Sequence, residues 1–330
     1  MTDYHVYGAG NALVDMEFEI SDEILAELGV DKGLMTLIDE DRHHELLDKL
    51  GGLEAKQGSG GSAANTIIAS AQLGANTFYS CKVASDPTGD FYMKDLDACK
   101  VASNLTASNR DAGTTGKCIV LITPDAERSM NSHLGITQQY SKAELDLDAI
   151  KQSDYVYIEG YLVPEENARA AAICVREVAE ASGVKTSITL SDGNMVTYFK
   201  AGLLEMIGGG VDMLFCNEDE ACGMLDASSI EDCVAGLKKF AKQFAITRGS
   251  EGATLWDGEK AINISAQQVT PLDSNGAGDI YAGAFMYGLT HGMQFEKCGE
   301  LANACAAELI THFGARLPDS AMKSIGTRFA

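Results

Sequence analysis

The seven residues Asp273-Ser274-Asn275-Gly276-Ala277-Gly278-Asp279 bring glycines and carboxylates to what reads as the junction between a strand-turn and a helix. Gly276, Ala277 and Gly278 would leave several backbone N–H groups bare at the helix start. Their small side chains let an anion come close, and the helix dipole favours negative charge developing on a transferring phosphoryl group. Asp279, one turn in, faces the same space and could take a proton from a hydroxyl as it attacks phosphorus. The same residues also read as a plain loop-to-helix junction with an N-terminal acid, because short glycine motifs are weak signals by themselves.

A second glycine-rich helix start, Gly60-Gly61-Ser62-Ala63-Ala64-Asn65, stands in the other half of the chain. With both motifs in this order, the sequence resembles the ribokinase-like (PfkB) kinase superfamily, whose signatures are G-G-x-x-x-N and D-T-x-G-A-G-D. Ser274 replaces the common Thr and keeps the hydroxyl. The resemblance covers essentially the whole chain. It implies a doubly wound, mainly parallel α/β sheet flanked by helices, with a small β-sheet lid whose strands come from about residues 12–40 and 104–135. It also implies ATP-dependent phosphoryl transfer with Asp279 as base and the Gly276-Ala277-Gly278 amides as an anion hole.

Further residues take their roles from the same resemblance. Asn217 and Glu220 match an N-x-x-E element that organises Mg²⁺ and its water; alone they would read as a helix cap with a solvated acid. Thr247, Gly249 and Gly252 match a T-x-G-x-x-G loop along the nucleotide, otherwise a tight turn before Ala253. Asn303 falls where relatives approach adenine, although a polar residue on a helix surface is the ordinary alternative. Asn11 and Asp15, in G-x-G-N-x-x-x-D, correspond to residues that bind a ribose or sugar diol, with Gly60, Gly61 and Asn65 closing the polar side of the pocket. Arg128 matches a lid arginine that reaches the transferring phosphate, and otherwise reads as a surface residue. The resemblance leaves open whether K⁺ assists beside the anion hole.

Within the superfamily, the flanking segments resemble the adenosine-kinase branch: Gly10 to Asp15, Asp212 to Glu218, Leu190-Ser191 with Phe199-Lys200, and Ala306 to Ile310. A nucleoside needs an apolar slot for its base, which Leu34 to Ile38 with Leu134 could build. This strand lacks aromatic residues, so a sugar kinase acting on ribose, fructose or 2-keto-3-deoxygluconate stays as the alternative. A non-catalytic nucleotide-binding protein of the same fold is the third reading.

The elements that must position these residues follow from periodicity. Strands are predicted at Tyr4 to Gly8, Met16 to Ile20, Leu34 to Ile38 and Phe78 to Val83, with a β-pair at Gly116 to Thr123 and Arg128 to Ser132 joined by the turn Pro124 to Glu127. Gln57 to Gly61 reads as a loop, followed by a helix from Ala63 to Leu73 that ends at Gly74. Further helices are predicted over Ser21 to Leu28, Asp41 to Leu50 and Asp90 to Cys99. From Tyr155 onward strands (Tyr155 to Glu159, Lys185 to Leu190, Met213 to Cys216, Phe244 to Thr247) alternate with helices, the rhythm of a parallel sheet. A hairpin (Thr254 to Trp256, Ala261 to Ile264) and two long helices, Ala277 to His291 and Glu296 to Phe313, close the chain.

Bulk properties narrow the partners. At 330 residues, with 45% hydrophobic and 22% charged residues, the chain is an ordinary globular one with a substantial core. A net charge of −23 without a basic run argues against nucleic acid. The nine cysteines lack C-x-x-C spacing, and their odd number argues against a full disulfide framework. No leader pattern or membrane-length apolar run is seen, so a cytoplasmic monomer or homodimer acting on a small molecule is expected.

Overall fold

The computed structural model describes residues 3–125 and 127–329. The turn expected at Pro124 to Glu127 includes Ala126, which lies outside the described residues. Among the described residues the strands are β1 (Tyr4–Ala9), β2 (Leu13–Glu19), β3 (Met35–Leu37), β4 (Lys56–Gly60), β5 (Thr77–Ser80), β6 (Val101–Ala102), β7 (Gly116–Ile122), β8 (Arg128–His133), β9 (Ser153–Ile158), β10 (Lys185–Thr189), β11 (Val211–Asn217), β12 (Ala241–Thr247), β13 (Ala253–Trp256) and β14 (Ala261–Ile264).

Short, nearly continuous apolar runs bury both faces of a strand, which is what a parallel sheet covered by helices requires. In β1, β9 and β11, successive side chains go to opposite cores. Val6, Tyr157 and Phe215 pack with the helices Ser62–Leu73, Ala277–Thr290 and Phe295–Leu309. Tyr7, Val156 and Leu214 pack with Glu166–Ser182 and Gly193–Ile207 on the other face. The resulting nine-stranded sheet has the order β14-β13-β12-β11-β10-β9-β1-β5-β6. It is parallel from β12 to β6, with β13 and β14 antiparallel at the edge.

From β1 the chain builds outward to β5 and β6 on one side and later to β9, β10, β11 and β12 on the other. That reversal leaves a crevice beyond the carboxyl ends of β1 and β9, where open α/β sheets bind ligands. A second, five-stranded sheet of order β3-β8-β7-β2-β4 rises from the same place. Asn11 stands in the short link between β1 and β2, where the chain passes from one sheet to the other.

Two sequence expectations need correction. Gln57 to Gly60, expected with Gly61 as a loop, is strand: β4 pairs antiparallel with β2, with Gly60 opposite Leu13 and Gly58 opposite Asp15. Its polar, glycine-rich composition carries no apolar alternation, so the pairing partner alone makes it a strand. The last long helix also stops earlier than expected, at Leu309. The Ile310 carbonyl is taken by the Leu272 and Asp273 amides, which ties the helix end to the glycine turn. The helices Leu147–Lys151, Ile230–Leu237 and Asp319–Phe329 were not anticipated. No helix among the described residues is long and apolar enough to cross a membrane.

Candidate active site

Gly276 opens the helix Ala277–Thr290 with φ at +73°, a backbone region that favours glycine. A Cβ there would also come within 2.7 Å of the Ala315 Cβ. At Gly278 a Cβ would meet nothing within 4 Å, so the face beside this amide is open. Asp279 sits in the first turn, and its carboxylate is held from the opposite helix. Ser62 Oγ donates to Oδ1 at 2.6 Å and Asn65 Nδ2 donates to Oδ2 at 3.1 Å.

Those two donors are in place because Gly61 turns the chain sharply into Ser62–Leu73. Its φ is +105°, and a Cβ would overlap the Asn11 carbonyl oxygen. The two glycine motifs, far apart in sequence, are thus joined at one carboxylate. Burial pushes the Asp279 carboxyl up to about 6, with the Ser62 and Asn65 hydrogen bonds opposing it.

This carboxylate opens on a cavity of about 570 Å³, within the usual range for small-molecule sites. Asn11, Asp15, Gly61, Ser62, Asn65, Glu159, Asn217, Glu220, Thr247 and Ser274 to Asp279 form its polar part. Met35, Leu37, Val120, Met130 and Leu134 of the small sheet and its flank form an apolar wall. Among the described residues no Lys or Arg lines it, and a helix start offers positive potential to an anion there.

Asn11 is fixed on three sides. Its Nδ2 donates to Glu159 Oε1 at 3.0 Å, its Oδ1 accepts from Thr137 at 3.3 Å, and its carbonyl accepts from the Tyr79 hydroxyl at 2.7 Å. Asp15 has Gly60 directly behind it, where a Cβ would overlap the carboxylate. Burial pushes Asp15 up to about 7, partly offset by the Arg316 guanidinium.

Asn217 and Glu220 form a reciprocal cap on the helix Glu218–Leu225: Asn217 Oδ1 accepts from the Glu220 amide at 2.8 Å, and Glu220 accepts from the Asn217 amide and side chain. Glu220 is buried, which pushes its carboxyl up to about 7, and Asp192, Asp219 and Asp279 add to the shift. A buried acid whose oxygens are held by Asn217 and which faces a cavity with hard oxygen donors fits a divalent cation. No group of three or more His, Cys, Asp or Glu among the described residues could hold a metal alone. A Mg²⁺ ion held there would keep its waters and share phosphate oxygens.

Other expected residues lie elsewhere. Arg128 does not line the cavity. Its guanidinium is buried between Glu17 Oε1 at 3.2 Å and Asp273 Oδ2 at 2.8 Å, over the Phe313 ring. A charge this enclosed needs partners, and the two carboxylates supply them. Asn303 is also buried, and its amide donates to the Ser265 carbonyl at 3.0 Å, so it pins the helix to the segment after β14. Gly249 and Gly252 shape the turn between β12 and β13, with φ of +52° and +93°. A Cβ on Gly252 would overlap the Ile264 carbonyl oxygen.

Sequence reasoning missed three residues here. Glu159, at the carboxyl end of β9, accepts from Asn11 and from the Ala63 amide at 2.8 Å and is pushed up to about 7 by burial. An acid at the end of a predicted parallel strand was the available signal. Ser191 lines the cavity with φ at +71°, rare for a non-glycine residue. Arg316 lies outside every motif and had no sequence signal.

A parallel sheet clothed on both faces, with a second sheet over a cavity at its switch point, is the architecture of sugar and nucleoside kinases. The chain is 30% identical to a probable sugar kinase from Rhizobium etli CFN 42, with a TM-score of 0.90 and 99% of each chain covered. It is 32% identical to adenosine kinase from Sinorhizobium meliloti, with a TM-score of 0.89, covering 99% of this chain and 100% of that one. It is also 27% identical to the adenosine kinase of Saccharomyces cerevisiae, over 94% of this chain and 95% of the relative. The family described as pfkB family carbohydrate kinase matches residues 34–322, and the chain belongs to it. The protein is thus a sugar or nucleoside kinase, an ATP-using phosphotransferase with an alcohol group as acceptor.

Proposed function

We propose that the protein transfers the γ-phosphate of ATP to the primary hydroxyl of a nucleoside, with adenosine the foremost acceptor. The observation that carries this reading is the divided lining of the cavity. Asn11, Asp15 and Asn65 beside Asp279 suit a ribose diol, while Met35, Leu37 and Leu134 face them with apolar surface. Met35 and Leu37 are 46% and 62% exposed, so the chain itself leaves this wall uncovered. A flat heterocycle would cover it; a free sugar would not. The similarity to adenosine kinases supports the same choice.

In this reading Asp279, as a carboxylate, removes the hydroxyl proton while Ser62 and Asn65 keep it aimed. The amides of Gly276 and Gly278 offer donors to charge growing on the phosphoryl oxygens, whereas the Ala277 amide, expected to join them, donates to the Ser274 carbonyl at 3.2 Å. Asp15 and Asn11 hold the acceptor, and Glu159 fixes the orientation of the Asn11 amide by accepting from its Nδ2. Asn217 and Glu220 would hold Mg²⁺ through water; when bound, this ion neutralises phosphate charge. Thr247 lies along the nucleotide side, with Gly249 and Gly252 shaping its turn, and Asn303 supports that region from behind. Arg128 acts through Asp273, which it ties to the small sheet. That sheet serves as a lid, whose closure keeps water from the phosphate.

The test is ATP consumption with adenosine, other nucleosides, ribose, fructose and 2-keto-3-deoxygluconate at equal concentration. Turnover of adenosine well above the sugars is expected. Activity confined to sugars would replace the nucleoside reading with the sugar-kinase one, which the relative from Rhizobium etli also favours. ATP binding without turnover of any acceptor would indicate a binding protein.

A further inference from the structure

Asn65 holds Asp279 only if its amide nitrogen, not its oxygen, faces the carboxylate. An asparagine amide is nearly symmetric in shape, so something must choose between its two orientations. On the opposite side of that amide stands Arg316. Its Nε donates to Asn65 Oδ1 at 3.4 Å. The same guanidinium pairs with Asp95 at 2.8 Å through Nη1 and donates to Ser59 Oγ at 2.7 Å through Nη2. Asp95 in turn accepts from the Ser59 amide at 2.9 Å and from its hydroxyl.

At 3.4 Å the bond to Asn65 is long and adds little attraction. Its effect lies in the alternative. If the amide flipped, Nδ2 would face a guanidinium that cannot accept a hydrogen bond, and Oδ1 would face the Asp279 carboxylate. Both contacts would be repulsive in a poorly solvated place, so one orientation is strongly preferred. Arg316 can impose this only because it is itself fixed, by Asp95 on the helix Pro87–Ala98 and by Ser59 on β4.

We infer that Arg316 is a positioning residue for the phosphoryl-transfer reaction: it locks the Asn65 amide so that Nδ2 is presented to Asp279. Through Ser59 it also couples the β4 edge of the small sheet to that carboxylate. This rests on the reading of Asp279 as the base. Loss of Arg316 frees Asn65 to turn, Asp279 loses a hydrogen bond that stabilises its ionised form, and its proton affinity rises.

The experiment is the pH dependence of kcat at saturating ATP and acceptor for Arg316→Gln, Arg316→Lys, Asn65→Ala, the double variant R316Q/N65A, and Asp279→Asn as control. For R316Q, kcat should fall about tenfold near pH 6 and recover progressively above pH 8, the acid limb having moved up. R316K, which keeps one donor and the charge, should lie between it and the parent. The double variant should be no worse than N65A, because the two act in series. An unshifted acid limb in R316Q, or additive losses in the double variant, would overturn the inference. Melting temperatures and acceptor KM, measured in parallel, separate misfolding and lost substrate binding from this effect. Should D279N retain the parent kcat, the base assignment itself fails, an outcome distinct from a normal R316Q beside an inactive D279N.

Discussion

The guanidinium of Arg128 lies 2.8 Å from the carboxylate of Asp273, so the first residue of β8 grips the first residue of the glycine turn. Asp273 also accepts from the Asn275 amide at 3.0 Å and the Gly314 amide at 2.8 Å. One carboxylate therefore joins the small sheet, the turn before the Ala277–Thr290 helix and the segment after the last long helix. Arg128→Ala would strand Asp273 and Glu17, both poorly solvated, as unpaired acids. Breaking one side of such a pair costs about 3–5 kcal/mol. Urea denaturation should show a loss of that order, and Arg128→Lys should restore part of it.

Because Asp273 is already neutralised by Arg128 and held by two amides, this carboxylate has no need of a monovalent cation. Replacing K⁺ by Na⁺ should change kcat by less than about twofold. A strong K⁺ activation would place a cation site elsewhere along the turn.

Asp279→Asn removes the proposed base while keeping the side chain's shape. Turnover should fall by about 10²- to 10⁴-fold. ATP affinity, measured by calorimetry, should change little. Near-parental kcat would sink the assignment.

Asp279 is raised to about 6, so kcat should decline on an acid limb near that value as the carboxylate takes up a proton. Stability carries the opposite sign. Asp15, Glu159, Glu220 and Asp279 are all raised above the usual carboxylate range, to about 6 or 7. The folded state holds protons that the unfolded chain releases, so their contribution is present at low pH and is lost as pH rises from about 4 through about 7. Asp279→Asn should therefore melt higher than the parent at pH 8, by roughly 2–6 °C, with the gap closing near pH 4. Equal gaps at both pH values would refute this origin.

Gly60→Ala places a methyl group into the Asp15 carboxylate, although Gly60 itself does not line the cavity. Acceptor KM should rise about tenfold or more while ATP KM holds, since a small displacement of a binding group suffices. An unchanged acceptor KM would remove Asp15 from the substrate site.

Much of the architecture is legible in the sequence. Apolar alternation and helix punctuation marked most strands and helices, since those signals depend on neighbours a few residues away. β4 escaped because only its pairing with β2 makes Lys56 to Gly60 extended. The placement of Arg128 escaped for a related reason: motif position says where a residue lies along the chain, and burial against Glu17 and Asp273 decides where its charge goes.

By itself the sequence determined the family resemblance, the alternation of strand and helix, and the two glycine-rich helix starts. Those are local properties, set by backbone φ and by side-chain size. Only the tertiary structure decided that Ser62 and Asn65 hold Asp279, that Glu159 holds Asn11, and that Arg316 stands behind Asn65. These partners are separated by long stretches of chain, and no local pattern encodes them. The crevice at the sheet's switch point brings them within hydrogen-bonding range, and the burial that comes with it raises the carboxyls.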